Sequence, residues 1–203
     1  QSGLARTGKL WAFEHADIIP DMVIIGKGLS GGIYPISATI IREPLDAIFK
    51  KEPFIHISTF GGSELGCRVG QKVVGLSSDE NFLKGVQDAG TKIRIGLDQL
   101  QERYSKFFTG IRQSGLMIGL ELRDEYAGPA LTKAAYDHDL LMIYANNNTS
   151  ICQFLPPLTI SDEDINWVLS QLDKALNSAR KLRTALIAKR SAGKIVNKLR
   201  GNH

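Results

Sequence analysis

"MVIIGKGLSGG", Met22 to Gly32, is the stretch on which the reading of this chain turns. Four apolar residues, three of them β-branched, stop at Gly26; one lysine follows, and Gly28, Gly31 and Gly32 leave little side-chain bulk around it. Short apolar runs bounded by glycine and proline read as buried strands of an α/β sheet, and "ISATII", residues 36–41, repeats the pattern. Sites in open α/β sheets gather at the carboxyl ends of strands, which is where Lys27 falls.

A lysine held there and partly desolvated offers a nucleophilic amine near neutral pH. Such an amine forms a Schiff base with an aldehyde, and pyridoxal phosphate is the commonest aldehyde cofactor bound in this way. The neighbouring glycines would let a bulky ring approach the backbone. From spacing alone, however, an ordinary exposed lysine in a glycine turn is the better reading.

Outward from this stretch, "REPLDAIFKK" reads as a helix with Pro44 in its first turn. Apolar residues from Leu65 to Leu100 recur at helical spacing, and Gly75, Ser77 and Ser78 interrupt them as a hinge. After residue 104 the rhythm shortens. "GLMIGLEL" (115–122), "LLMIY" (140–144) and "SICQFL" (150–155) read as strands, "PALTKAAYDHD" as a helix and "NNN" (146–148) as a turn. A long helix capped by Ser161 follows, with acids in its first turn and Ile165, Val168, Leu169, Leu172 and Leu176 on one side. The expected division is a part of a larger domain over 1–78, a small α/β domain over 79–176 and a basic helix or tail over 177–203.

Composition excludes several classes. With 203 residues, 43% hydrophobic and 23% charged, the chain has the balance of a globular protein with a real core. No apolar run approaches a membrane span and no signal-peptide pattern opens the chain, so a soluble, cytoplasmic protein is expected. Cys67 and Cys152 lie outside any metal-ligand or disulfide framework, and His15 and His56 lack partnered ligands, so no metal is expected. His138 is expected on a solvated helix face, and Trp11 and Phe13 in packing. The net charge is +4, with Arg180, Lys181, Arg183, Lys189, Arg190, Lys194, Lys198 and Arg200 in a stretch without acids. A solvated amphipathic helix explains that stretch better than nucleic-acid or membrane binding. "GLARTGKL", Gly3 to Leu10, nearly matches a phosphate loop, but Leu10 stands where the magnesium-binding hydroxyl belongs and no strand precedes it.

The pattern extends well beyond one lysine. "QSGLARTGKLWAFEH", "PDMVIIGKGLSGGIYPISA", "HISTFGGSELGC", "GLMIGLEL" and "FLPPLTIS" follow one another in order. Together they resemble the class III (ω-amino acid type) pyridoxal-phosphate aminotransferases of fold type I, with the putrescine, ornithine and acetylornithine branch nearest. The resemblance covers Gln1 to about Leu176 and implies the C-terminal part of such an enzyme: part of the large-domain sheet plus a small α/β domain. It implies pyridoxal 5′-phosphate as cofactor and Lys27 as the Schiff-base lysine and catalytic proton carrier. Gln1 matches the glutamine that contacts the cofactor's phenolic oxygen. Thr59, with Ser58 beside it, matches the hydroxyls that bind the cofactor phosphate of the neighbouring subunit, which implies a homodimer with a shared site. Gly8, Gly31 and Gly32 match shape residues of the pocket.

The implied reaction moves an amino group from an ω-amine, a diamine or ω-amino acid, to an oxo-acid such as 2-oxoglutarate. An aminomutase or racemase, and a non-catalytic binding module, are the alternatives. Two departures follow from the resemblance. The family's aspartate for the ring nitrogen would precede Gln1, as would the glycine-rich phosphate cup, so this chain alone is expected to be inactive and to need the upstream half. Gln153 stands in the substrate-binding place of an arginine in an R-x-x-P-P-L pattern; it can hydrogen-bond a carboxylate but cannot neutralise it. Arg68 is a candidate replacement for that charge.

Overall fold

A computed structural model describes the backbone of residues 1–199 and the side chains of residues 1–189. The chain forms two compact units, Gln1–Gln87 and Asp88 onward, divided within one helix. Residues Arg200 to His203 of the expected basic tail, and the side chains from Arg190, lie outside the described residues. No described helix is long and apolar enough to cross a membrane.

The first unit opens with a knot of turns. Leu4 (φ 52°) and Ala5 (φ 70°) take left-handed backbone and are buried with Thr7. Lys9 Nζ donates to the Glu14 carbonyl (2.8 Å) and the Trp11 N–H to Glu14 Oε1 (2.6 Å), so the near-match to a phosphate loop is a closed structural turn. Strand β1 (Met22–Ile25) pairs antiparallel with β2 (Ala38–Ile41), Met22 opposite Ile41 and Ile25 opposite Ala38. Helix α1 (Glu43–Lys51) carries Pro44 in its first turn, with Glu43 and Asp46 near its amino end and Lys50 and Lys51 at its carboxyl end, matching the helix dipole. Helix α2 (Glu64–Ser77) ends at the expected hinge, although Gly75 lies inside it, and α3 (Glu80–Arg103) begins after Asp79.

The core of this unit is Leu4, Ile25 and Leu29, with Trp11, Val23, Ile36, Val73 and Val74 packed around them. The strands are less buried than their sequence predicts. Val23 and Ile25 face this core, whereas Ile24 is 81% exposed and Ile40 54% exposed. A strand with apolar residues on both faces is built to be covered twice, and the described residues cover β1 once.

The second unit holds a four-stranded antiparallel sheet in the order β3 (Phe108–Ser114), β4 (Met117–Leu122), β6 (Asn148–Phe154), β5 (Ile143–Ala145). In β4, Ile118, Leu120 and Leu122 are buried and alternate with half-buried positions, the period-2 signature of a strand with one core face. Helix α4 (Ala127–Tyr136) packs on β5, β6 and α5 (Asp162–Leu199). Asp139 (φ 62°) terminates α4, and the Leu140 N–H returns to the Ala135 carbonyl (2.8 Å). His138 therefore lies in that turn, half-buried, with Nε2 3.0 Å from Ser178 Oγ, and not on a solvated helix face.

Ser161 caps α5 as its sequence predicts: the Asp164 N–H donates to Ser161 Oγ (3.0 Å), and that hydroxyl donates to Asp164 Oδ2 (2.7 Å). Ile165, Leu172, Leu176 and Ala179 form its buried stripe. The helix runs unbroken past residue 176, and its continuation is tied down. Arg180 lies 5.0 Å from the Tyr104 ring centroid, and Arg183 forms a two-pronged ion pair with Asp124.

Candidate functional site

The segment after β1 is built around Lys27. Gly26 is extended (φ −152°, ψ −151°), Lys27 takes left-handed backbone at φ 45°, and a 3₁₀ turn runs from Lys27 to Ser30. Leu29 pins the turn inward: it is buried, and a Cβ on Gly70 of α2 would stand 3.5 Å from its Cδ1. The glycines serve this packing more than they clear space outside. A Cβ on Gly28 would lie 3.1 Å from Leu4 Cδ1, and one on Gly31 3.1 Å from Val73 Cγ2. Gly32, at φ 73°, meets nothing, so conformation and not space calls for glycine there.

Lys27 itself is exposed, and its ammonium has no hydrogen-bond or ion-pair partner among the described residues. The described residues do not supply the partial desolvation expected for it, just as they leave Ile24 bare on the outer side of β1. Ser30 was not singled out by the sequence. Its hydroxyl donates to the Lys27 carbonyl (2.8 Å) and accepts the Gly32 N–H (3.1 Å). A serine three residues after a turn's first member is the available signal, since short hydroxyl side chains bond local backbone.

Ser58 and Thr59 lie in the loop that enters α2, and both are exposed, with no partner for either hydroxyl among the described residues. Gly61 is required there, because a Cβ would come within 2.7 Å of Ser58 Cβ. Tyr34 and Ile36, from the chain that follows the Lys27 turn, pack on Gly66 in the first turn of α2. Thus the lysine turn and the hydroxyl loop are both organised by α2, whose amino end directs backbone N–H groups toward the loop. Gln1 is exposed at the start of the same unit, and Gly8 (φ 83°) is buried there, its carbonyl accepting Gln87 Nε2 (2.7 Å).

Gln153 belongs to the other unit. It is half-buried on β6, opposite Gly119 of β4 and Ile143 of β5, and lines a pocket of about 500 Å³. Leu141, Met142, Phe154 and Trp167 supply apolar wall and Asp164 the charge; none of the described lining residues is basic. Arg68, the candidate substitute, lies on α2 in the first unit, where its Nη1 donates to Gln71 Oε1 (3.4 Å).

Two histidines and a cysteine have structural surroundings. His15 Nε2 sits 3.1 Å from both the carbonyl and the hydroxyl of Thr7, and His56 meets Phe49 edge-on. Burial pushes the Cys152 thiol up to about 11, which leaves it inert. Trp11 and Phe13 stack at 6.4 Å between centroids, and Trp11 packs on the core. Among the described residues no group of three His, Cys, Asp or Glu is placed to hold a metal.

A family model described as aminotransferase class-III matches residues 1–176. The chain belongs to that family. An uncharacterized aminotransferase from Archaeoglobus fulgidus is 45% identical over 183 residues, covering 90% of this chain and 43% of that protein. The acetylornithine aminotransferase of Caldanaerobacter subterraneus is 39% identical over 180 residues, covering 89% of this chain and 44% of its own length. Among solved structures, the ornithine aminotransferase of Toxoplasma gondii, described with partial occupancy of PLP at its active site, superposes with a TM-score of 0.79 at 28% identity, over 91% of this chain and 43% of that one. The chain therefore spans less than half the length of the relatives it matches, and α5 continues beyond the region that the family model matches.

Proposed function

We propose that this chain carries the lysine-bearing part of a pyridoxal-phosphate-dependent aminotransferase that moves an amino group from an ω-amine to an oxo-acid such as 2-oxoglutarate. The observation that carries the reading is Lys27: an exposed, unpartnered amine on a turn at the carboxyl end of β1, in a chain of the class III aminotransferase family. The donor set fits the cofactor. Lys27 offers the amine that an aldehyde requires, and Ser58 and Thr59 offer free hydroxyls beside a helix amino end, which suits a phosphate. When bound, the cofactor supplies the electron sink for bonds broken at the substrate's amine-bearing carbon.

The protein's part is positional and acid–base. Lys27 would hold the cofactor through its Nζ, and the same amine is the group that would take up and return the proton of the transfer. Ser58 and Thr59 fix the phosphate, Gln1 contacts the ring's phenolic oxygen, and Gln153 meets the far end of the substrate. The reading includes a homodimer in which Thr59 serves the partner's cofactor, and it assigns the ring-nitrogen partner to sequence outside these 203 residues.

Borohydride reduction of the full-length enzyme loaded with pyridoxal phosphate, followed by peptide mass mapping, tests this. The expected result is a single reduced adduct on Lys27 that is absent in Lys27→Ala. An adduct on another lysine, or an unchanged visible absorbance in Lys27→Ala, overturns the assignment.

A further inference from the structure

We propose that Ser30 is a positioning residue for Lys27, and this rests on the reading of Lys27 as the cofactor-bearing lysine. The starting point is the backbone. Lys27 sits at φ 45°, a conformation that a residue with a Cβ adopts at a cost and keeps only where its surroundings hold it. Relaxation to the ordinary right-handed region, with φ near −60°, would rotate the Cα–Cβ bond by roughly 100° about N–Cα. The amine of Lys27 would then leave a different side of the turn.

Three features oppose that relaxation. Leu29 anchors the turn in the core, fixing the backbone two residues on. The Leu29 N–H returns to the Gly26 carbonyl (3.1 Å) and the Gly31 N–H to the Gly28 carbonyl (3.0 Å), closing the turn on itself. The third is the Ser30 hydroxyl, which donates to the Lys27 carbonyl and accepts the Gly32 N–H. Of the three, only this one bonds directly from a side chain to Lys27. It also joins Lys27 to Gly32, at φ 73°, so two of the three left-handed residues of this segment, Lys27, Gly31 and Gly32, share one clamp.

Replacing the hydroxyl by hydrogen leaves the backbone contacts and the Leu29 anchor in place. Ser30→Ala therefore tests orientation separately from folding. The geometry points to an effect on the chemical step and on the proton affinity of the lysine–cofactor linkage, since both depend on where Nζ lies relative to the ring. Binding of the rest of the substrate does not pass through Ser30.

The experiment uses the full-length enzyme loaded with pyridoxal phosphate, as wild type, Ser30→Ala and Ser30→Thr. Peptide mapping after borohydride reduction first establishes the adduct on Lys27; an adduct elsewhere removes the reading beneath the proposal and the proposal with it. With the adduct on Lys27, Ser30→Ala is expected to lower kcat about tenfold while KM changes less than about twofold, the split that a loss of orientation in the reacting complex gives. The pH midpoint of the visible absorbance band moves, hydrogen exchange of the Gly32 amide speeds up, and Ser30→Thr restores all three. A wild-type kcat and absorbance midpoint in Ser30→Ala, with the adduct on Lys27, overturn the proposal. Faster Gly32 exchange without either change does so too, because a purely structural clamp gives that result.

Discussion

Gln153 lines an apolar pocket whose single described charge is Asp164, and we propose that it takes the place of the arginine in the R-x-x-P-P-L pattern that the sequence resembles. A neutral amide there accepts or donates hydrogen bonds but leaves a bound carboxylate without a counter-ion. Loss of a hydrogen bond to a charged group costs about 1.5–3 kcal/mol, roughly a tenfold to hundredfold change in selectivity. A donor with no carboxylate at that end, such as a diamine, escapes the penalty, and an acidic neighbour favours its second ammonium. We therefore expect the full-length enzyme to use diamines in preference to α-amino acids, and Gln153→Arg to narrow that preference by at least tenfold in the ratio of kcat/KM. Higher kcat/KM for α-amino acids in the unmutated enzyme would contradict this use of Gln153.

At the scale of elements, the tightest join in the second unit is that of α4 to the β5–β6 hairpin. Gly128, in the first turn of α4, lies so close to the Thr149 carbonyl oxygen that a Cβ would collide with it, and Tyr144 Cβ would be 3.0 Å away. Backbone on one side and a strand Cβ on the other cannot give way cheaply. Gly128→Ala is expected to destabilise by about 1–3 kcal/mol, as overpacking does. Gly75→Ala, in an exposed helical position with nothing within 4 Å, is expected to stabilise by about 0.5–1 kcal/mol. Urea denaturation of each variant at neutral pH checks the opposite signs, and two shifts of the same sign refute the packing argument.

The same elements show what was legible from sequence. Helices with long apolar stripes, and strands such as β4 with a clean alternation, were readable because one buried face imposes one period. Strand β3, "FTGIRQS", was not: Gly110, Arg112 and Gln113 break the apolar pattern, and the strand is fixed instead by pairing with β4 through a turn at Gly115 (φ 55°). Lys27 is singled out by the order of the sequence blocks around it and not by its spacing, and its role stays a proposal. Ser30 escaped because its hydroxyl matters only once the left-handed conformation of Lys27 is known. The bareness of β1 and Lys27 was equally invisible, since apolar sequence records that a face is covered and not by what.

At the scale of the whole molecule, the family model's match ends at residue 176, while α5 runs on to Leu199. Three contacts hold the first turns of that extension to the second unit: Ser178 with His138, Arg180 over Tyr104, and Arg183 with Asp124. The last is the one with a distinct pH signature. The two-pronged hydrogen bond from Arg183, aided by backbone N–H groups of Tyr126 and Ala127, holds the Asp124 carboxyl below its ordinary value of 3.8. A carboxyl depressed in the folded state contributes stability that is complete above its unfolded pKa and is lost as pH falls through the folded one. Asp124 and Arg183 side chains are 29% and 20% exposed, so the pair is partly screened, and its contribution is about 1–2 kcal/mol. Arg183→Met keeps the apolar stem and removes the charge. Hydrogen exchange of the amides in 177–189 is therefore expected to be faster in the variant by a constant factor between pH 7 and about 5. Below about pH 4, after correction for intrinsic exchange, the two proteins converge as Asp124 takes up its proton in both. A difference that persists undiminished at pH 2, or none at pH 7, means that the extension is held by Arg180 and the apolar stripe of α5 without help from this ion pair.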